Sequence, residues 1–194
     1  MGLQKDLKNF WNFIWHGKSI YSYITFFIFS IVILNIVYPA FLFLLSNTIG
    51  INDIVAVVSG SMIHDSTTER THYTYLQQEL GIPLREINAF PYDNGLNPGD
   101  LMLVWKKNPE DIIVGDILVF KKDNYLIIHR VIQIKFENEQ YYYTTKGDHN
   151  PGSIPSELRI PYELVKGVAR NRIPFLGIPK MLLTNFIGAV KNVL

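Results

Sequence analysis

The sequence predicts a mainly β protein, in which a small antiparallel β body follows one N-terminal transmembrane helix and precedes a short amphipathic helix. Three observations lead to this fold class. No charged residue occurs between Ser19 and Asn52, several short β-type runs follow, and apolar residues recur at helical spacing in residues 181–194. A chain of 194 residues has room for one ordinary domain and an anchor, but not for two full domains.

The anchor is the apolar segment of residues 24–45. At about 1.5 Å per residue it reaches roughly 33 Å, which is enough to cross a hydrocarbon core about 30 Å thick. A cleaved secretory signal and a buried core helix are the alternatives, but a signal's apolar region is shorter and ends at a small-residue cleavage site. We predict a membrane-spanning helix over residues 21–48, kinked near its far end by Pro39.

The charges on either side of this span predict its orientation. Three lysines and one aspartate precede it, and the first charge after it is Asp53. Because the positively charged flank of a membrane helix stays in the cytoplasm, we expect a single-pass protein with residues 1–20 cytoplasmic and the rest extracytoplasmic. The charges before the span are Lys5, Asp6, Lys8 and Lys18.

Residues 49–175 should form the extracytoplasmic β body. Its strand-like runs are rich in valine, isoleucine, leucine and tyrosine, and Gly-Asp pairs at run edges suit turns in which glycine takes positive φ. The polar stretch 63–98 is too long for a compact connection and is predicted to be an insertion with one short helix around residues 75–80. The predicted runs are 54–58, 101–105, 116–120, 125–135, 141–145 and 164–169.

The C-terminal segment, residues 176–194, is predicted to contain an amphipathic helix over residues 181–194. This helix covers only about 21 Å, which is too short to cross a bilayer. We expect it to lie on the membrane surface or to cover the β body.

Composition excludes several classes of function. Lysine and arginine number 18 against 17 aspartates and glutamates, so no overall field favours nucleic acid as a partner. Cysteine is absent, which excludes disulfides, thiolate metal sites and a cysteine nucleophile.

Two segments carry side chains suited to nucleophilic catalysis. Ser59-Gly60-Ser61-Met62 ends a β-type run just beyond the anchor, and His129 interrupts the apolar run of residues 126–132. Taken singly, the serines suit the end of a strand and the histidine suits a hydrogen-bonded core position. A serine nucleophile needs a base within hydrogen-bond reach, and His129 is the leading candidate.

In combination these motifs resemble the type I signal peptidases, in the archaeal and endoplasmic-reticulum branch that carries histidine where bacterial enzymes carry a lysine base. Five motifs occur in the family's order behind a single N-terminal anchor, and the resemblance extends to about Phe175. The motifs are Ser59-Gly60-Ser61-Met62, Gly99-Asp100-Leu101, Gly115–Phe120, Ile128-His129-Arg130-Val131 and Thr145-Lys146-Gly147-Asp148.

The resemblance implies a membrane-bound serine endopeptidase that removes signal peptides from secreted precursors, cutting after small residues. It assigns Ser61 as nucleophile, His129 as general base and Asp148 as the acidic partner, with Ser59 and Ser61 facing the oxyanion. We expect no cofactor and no catalytic metal. The implied partners are the signal peptides of preproteins and the lipid bilayer, with other membrane subunits left open.

The acidic partner and the base each have alternatives. Family members often carry another aspartate after the Lys-Gly-Asp motif, whereas the first acidic residue here is Glu157, so Glu157, Asp116 or a serine–histidine dyad stay open. His64, beside Asp65, competes as base because it lies three residues from Ser61, and Lys146 can be considered as a lysine base. A metal site built from histidines and acids of the insertion matches no compact ligand spacing; its members would be His64, Asp65, Glu69 and His72.

Two other classes of function fit parts of the sequence. A noncatalytic, membrane-anchored β module that binds an extended peptide or a partner subunit would share the anchor and the β body. A self-cleaving serine–lysine peptidase of the repressor type resembles this fold. The membrane anchor and the histidine at the base position argue against the second.

Overall fold

The structure is a computed structural model that describes residues 2–123, 125–182 and 184. It divides into two compact units, Met1–Leu45 and Ser46–Leu194. The predicted C-terminal amphipathic helix falls mostly outside the described residues, of which 178–182 are helical.

Two helices open the chain: α1 (Gly2–His16) and α2 (Ile20–Ile49). The second is one continuous helix of 30 residues, and its most apolar stretch of 18 residues has a mean hydropathy of 2.5 and is not buried by other parts of the protein. A core helix would be covered, so this exposure favours the membrane-spanning interpretation, and α2 is long and apolar enough to cross a bilayer. Its α-helical parts, Ile20–Val32 and Tyr38–Ile49, flank a π-helical segment, Ile33–Val37.

The π-helical segment lies just before Pro39. Proline lacks a backbone N–H and its ring crowds the carbonyl four residues earlier, so the regular hydrogen-bond ladder cannot continue past it unchanged. Within this segment Asn35 Nδ2 donates to Ile31 O at 2.9 Å, which satisfies one backbone carbonyl by a side chain. The irregular segment thus lies just before the proline at which the sequence predicts a kink.

A seven-stranded sheet, antiparallel throughout, forms the body of the second unit, which confirms the mainly β prediction. Its strand order is β1-β2-β7-β3-β4-β5-β6. Each predicted run corresponds to a strand with slightly different ends, and the two-residue β6 was not predicted. The strands are β1 (Ile51–Ala56), β2 (Leu101–Trp105), β3 (Ile117–Lys122), β4 (Tyr125–Glu137), β5 (Gln140–Lys146), β6 (Ile160–Pro161) and β7 (Val165–Ile173).

The central strand β3 is buried on both faces because core clusters lie on either side of the sheet. Ile117 and Val119 belong to one cluster, and Leu118 and Phe120 to the other. Side chains alternate across a strand, so four consecutive apolar residues supply both cores. The pairing of β3 with β4 fixes which residues of β4 reach each face.

The predicted insertion is an ordered part of the β body. It contains α3 (Ser66–Thr74), the π-helical segment Tyr75–Glu79 and α4 (Leu84–Ile87), so the predicted helix around residues 75–80 is present and begins earlier. Leu76 and Ile87 are buried against Ile132 of β4 in a third apolar cluster. This packing fixes the insertion to the strand that carries His129.

Candidate active site

Ser61 lies in a turn that follows β1. The ladder between β1 and β2 ends at Val57, whose N–H donates to Asp100 O at 2.9 Å and whose carbonyl accepts from Gly99 N–H at 2.8 Å. The chain then turns, and the Ser61 carbonyl accepts a hydrogen bond from His149 N–H at 2.9 Å. The serine is therefore held between the end of β1 and the loop that follows β5.

His129 lies in the middle of β4, opposite Leu118 of β3, and its side chain is mostly buried. Its Nε2 is 2.9 Å from Ser61 Oγ, although the two residues are 68 positions apart in the chain. At this distance a neutral imidazole can accept the hydroxyl proton. The structure thus brings together the two residues that the sequence singled out.

Glu157 contacts the other ring nitrogen of His129. Its Oε1 is 2.5 Å from His129 Nδ1, and its Oε2 accepts a hydrogen bond from Ile154 N–H at 3.3 Å. The carboxylate is completely buried in the short 3-10 turn Pro155–Glu157. The hydrogen-bond network assigns a proton to Nδ1, which donates to Glu157 and leaves Nε2 free to accept from Ser61. Serine, histidine and glutamate therefore form one hydrogen-bonded chain.

Asp148, the predicted acidic partner, is engaged elsewhere, and we correct that expectation. Its carboxylate accepts from Arg130 Nε at 2.9 Å and Nη2 at 2.6 Å, and it is 2.9 Å from His64 Nε2. Successive side chains of a strand point to opposite faces, so a carboxylate bound to Arg130 lies across the sheet from the ring of His129. The partner of His129 in the structure is Glu157.

The pairing of Asp148 with Arg130 is a buried structural contact. Burial alone would raise the pKa of Asp148, but the Arg130 guanidinium and the hydrogen bonds from Arg130 and His64 outweigh it and hold the pKa below its usual range. Arg130 also donates to the carbonyls of Pro91, Tyr92 and Gly115. These bonds tie the end of the insertion to β4.

Replacement of Asp148 by asparagine should lower stability more than turnover. Removing one partner of a buried ion pair typically costs about 3–5 kcal/mol, because the remaining charge stays buried. Denaturant unfolding of Asp148→Asn in detergent would measure this loss, and turnover should be scored per folded molecule. Unchanged stability combined with a large loss of turnover would instead assign Asp148 to the support of His129.

Ser59 and the backbone of Ser61 are the predicted oxyanion donors. The two hydroxyl oxygens, Ser59 Oγ and Ser61 Oγ, are 3.2 Å apart. The Ser61 N–H donates to no acceptor among the residues that the structure describes. A hydroxyl and a backbone N–H are thus both available beside the serine oxygen, as an oxyanion site requires.

Ser59→Ala should leave partial activity, since the backbone N–H of Ser61 would still be present. Removing one oxyanion donor typically costs about 10² to 10³ in rate. The rate of cleavage of a signal-peptide precursor would measure the effect, with the exposed Ser66→Ala as a matched control. Full activity of Ser59→Ala would exclude the hydroxyl as an oxyanion donor.

A cleft of about 260 Å³ opens beside the serine–histidine–glutamate chain. Beyond these three residues its lining is largely aliphatic, and the amide of Asn150 and the hydroxyl of Ser59 are polar members. An apolar lining with a few polar groups is usual for a ligand-binding cleft. The aliphatic lining residues are Val55, Ala56, Val58, Leu126, Ile127, Ile128 and Ile154.

Val55 and Ala56 of β1 line this cleft, and β1 is an edge strand of the sheet. The N–H and C=O groups of Val57 bond to Asp100 and Gly99, on the side of β2. Backbone groups alternate in direction along a strand, so those of Ala56 and Val58 point to the free edge. An edge with unpaired N–H and C=O groups can receive an extended peptide as an additional strand. Such a peptide would run beside Ser61.

Gly147 lies where the chain passes close to both Ser61 and His129, and a side chain there would collide with them. A Cβ at this position would lie 2.7 Å from Ser61 O and 2.9 Å from His129 Nε2. Gly99 and Gly115 do take positive φ, as the turn interpretation of the Gly-Asp pairs predicted, but Gly147 does not. The glycine of the Lys-Gly-Asp motif therefore leaves space for the serine–histidine pair.

Two histidines of the insertion, His64 and His72, lie close to Asp148, although their spacing in the sequence matches no compact metal-ligand pattern. Possible ligand atoms of His64, His72 and Asp148 lie within 4.8 Å of one another. However, the Arg130 guanidinium is already bound to Asp148, and Lys146 Nζ is 3.2 Å from His72 Nδ1. A divalent ion would add two charges beside two buried cations, so the donor set does not suit a metal.

Lys146, His72 and Asp148 contact one another in this cluster. Burial lowers the pKa of His72 to about 3, so its ring is neutral at neutral pH, and burial lowers the pKa of Lys146 to about 8. Lys146 therefore donates to His72 Nδ1, and the protonated Nε2 of His72 faces Asp148 Oδ1 at 3.5 Å. The cluster is a polar clamp that holds the insertion to the loop after β5.

The competing bases are both committed to this clamp. His64 Nε2 contacts Asp148, and Lys146 Nζ contacts His72 Nδ1 and the Gly147 carbonyl. Among the described residues, the hydrogen-bond partners of Ser61 Oγ are Ser59 and His129. His129 is therefore the base within reach of Ser61. Asp116, the other acidic residue considered from the sequence as a partner of His129, instead forms an ion pair with Lys107 Nζ at 2.6 Å.

Together these features define a mainly β protein with one helix able to span a membrane and a serine–histidine–glutamate chain beside an apolar cleft. No protein-family model matches the chain, and a search of curated proteins finds no match.

Proposed function

We propose that the chain is a membrane-bound serine endopeptidase of the type I signal peptidase class, which removes signal peptides by cutting after small residues. The observation that carries the proposal is the hydrogen-bonded chain from Ser61 Oγ through the ring of His129 to buried Glu157. Such a chain is what acyl transfer by a serine hydroxyl requires. The family motifs in the sequence give the substrate class.

The first half of the reaction forms an acyl-enzyme. Ser61 Oγ attacks the scissile carbonyl carbon while its proton moves to His129 Nε2, and Glu157 stabilises the imidazolium that results. The carbonyl oxygen becomes an oxyanion that accepts hydrogen bonds from Ser61 N–H and the Ser59 hydroxyl. Collapse of this intermediate breaks the C–N bond, and His129 returns the proton to the leaving amine.

The second half releases the signal peptide. His129, neutral again, takes a proton from a water molecule whose oxygen attacks the ester carbonyl. Breaking the C–O bond returns that proton from His129 to Ser61 Oγ, which restores the starting state and frees the signal peptide with a new carboxyl terminus.

The cleft and the β1 edge support a substrate bound in extended form. Main-chain hydrogen bonds to Ala56 and Val58 would provide affinity without regard to sequence. The small volume of the cleft, about 260 Å³, and its largely aliphatic lining would favour small apolar side chains near the cut. A long or charged residue there would lose its solvation without gaining a partner.

We also propose that α2 anchors the enzyme with residues 1–20 in the cytoplasm. Three lysines before the helix support this orientation, since basic flanks stay on the cytoplasmic side. Protease added to the outside of intact cells should digest the β body. Digestion only after the cells are opened would contradict the orientation.

The direct test is cleavage of a precursor by the full chain in detergent, with the product's new N-terminus determined by mass spectrometry. The expected result is one cut at the signal-peptide junction. A noncatalytic module that binds extended peptides would retain the precursor uncut, and this outcome would overturn the proposal. Lys146 does not contact Ser61 Oγ, which disfavours a serine–lysine peptidase.

A further inference from the structure

The first helix, α1, is amphipathic and carries an unusual number of exposed aromatic side chains. At helical spacing its apolar residues gather on one side, Lys5 lies opposite them and Lys8 lies at the edge of the polar side. Trp11 and Trp15 are 45% and 59% exposed. In a soluble protein the apolar face of such a helix would be covered by the protein core. The other exposed apolar residues of α1 are Leu3, Leu7, Phe10 and Phe13.

A fixed elbow joins α1 to the membrane-spanning candidate helix α2. The buried Ser22 hydroxyl donates to Phe13 O at 2.6 Å, with Gly17 O at 3.0 Å as a second acceptor, and Ser19 caps the start of α2. A Cβ at Gly17 would lie 2.4 Å from Phe13 O, so the elbow requires glycine there. The direction of α1 relative to the start of α2 is therefore built into the fold.

The contacts between the two helices lie on the early turns of α2. Trp15 packs edge-on against Phe26 with ring centroids 5.4 Å apart, and Trp11 packs in the same way against Phe29 at 5.7 Å. At 30 residues α2 is about 45 Å long, roughly 15 Å more than a hydrocarbon core. Its surplus length leaves room for the early turns of α2 to lie at the level of the lipid headgroups.

We propose that α1 lies in the headgroup region of an anionic lipid leaflet, with its aromatic face toward the acyl chains and its lysines toward the phosphates. Tryptophan side chains are enriched at this depth because one edge is polar and the rest of the ring is apolar. A basic amphipathic helix binds anionic lipid through apolar burial together with charge. The inference does not depend on peptidase activity.

Lipid is the occupant that the residues favour over a second copy of the chain. The basic residues Lys5, Lys8 and Lys18 outnumber the single Asp6 in residues 1–20, so two α1 helices would repel each other whereas anionic phosphates would attract them. The aromatic face is also continuous with α2, whose apolar surface is unburied and suited to acyl chains.

Tryptophan fluorescence of the full chain can test this placement, because the protein has three tryptophans and only Trp105 lies outside α1. The variant Trp105→Phe leaves Trp11 and Trp15 as reporters. It would be reconstituted in vesicles of phosphatidylcholine and phosphatidylglycerol, with and without lipids brominated on the upper acyl chain. We expect blue-shifted emission, loss of most intensity with brominated lipid, and little quenching by aqueous acrylamide.

The charge contribution is tested by Lys5→Gln combined with Lys8→Gln in the same background. Each basic residue near an anionic surface contributes about fivefold to the bound population, so the pair should lower the ratio of docked to free α1 about 25-fold. Acrylamide quenching should rise accordingly. The matched control is Lys135→Gln with Lys166→Gln, which removes the same charge from exposed positions of the β body and should change nothing.

Three results would overturn the proposal. Emission that acrylamide quenches and brominated lipid does not would place α1 in water. Blue-shifted emission that neither agent quenches would place α1 against protein, such as a second copy. Insensitivity of both readouts to the Lys5 and Lys8 substitutions and to phosphatidylglycerol would exclude recognition of anionic lipid.

Discussion

Ser61→Ala should abolish cleavage of a signal-peptide precursor, with a loss of turnover on the order of 10⁶, as is typical when a serine nucleophile is removed. The Ser61 hydroxyl oxygen is 2.9 Å from His129 Nε2, and no other described hydroxyl contacts that nitrogen. The substitution removes the oxygen that would form the acyl bond in the proposed mechanism. It leaves the backbone contact between Ser61 O and His149 N–H in place, so the fold should be retained.

The measurement is the rate of precursor cleavage by purified protein at equal concentrations of folded enzyme. Thermal unfolding would verify that Ser61→Ala is folded. Ser66→Ala, which removes an exposed hydroxyl from α3, is the matched control and should cleave at the unmodified rate. Normal cleavage by Ser61→Ala would reject the serine-peptidase proposal.

Glu157→Gln should lower turnover by about 10⁴ while the protein stays folded, because the amide can no longer hold the His129 ring in the required tautomer. A glutamine NH₂ facing Nδ1 favours a proton on Nε2, and Nε2 then cannot accept from Ser61. The Ile154 N–H can still donate to the remaining side-chain oxygen. Single-turnover cleavage kinetics would measure the loss.

Two variants separate this role from a general effect of removing negative charge. Glu163→Gln makes the same chemical change at an exposed position and should be silent. Asp148→Asn should act mainly on stability, since Asp148 pairs with Arg130 and not with His129. If Glu157→Gln cleaved at nearly the normal rate, the site would be a serine–histidine dyad, and Ser61 and His129 would keep their roles.

The apolar helix and the strands could be predicted from the sequence because each depends on residues that are neighbours in the chain. A long uncharged apolar segment can satisfy its backbone only as a helix in lipid, and β2 to β5 were recognised because β-branched and aromatic residues favour strands. Ser61 and His129 were singled out by residue type and by motif. Their contact depends on the tertiary structure, because β1 and β4 do not pair with each other. The turn after β1, bonded to the loop after β5, carries Ser61 to His129.

Only the tertiary structure distinguished Glu157 from Asp148. Both are acidic residues after β5, and in sequence Asp148 stands inside the recognised motif while Glu157 does not. Strand alternation gives Arg130 and His129 opposite faces, so Asp148, once bound to Arg130, is unavailable to His129. The 3-10 turn Pro155–Glu157 brings a buried carboxylate to the correct face.

The sequence by itself determined a membrane-spanning candidate helix, a β body and the serine and histidine of the site. The folded chain decided the acidic partner, the burial of the insertion and the polar clamp of His64, His72 and Asp148. The physical reason is the sequence distance over which each interaction acts. Hydrophobic periodicity and turn chemistry act over a few neighbouring residues, whereas which buried charge pairs with which is decided by packing between segments far apart in the chain.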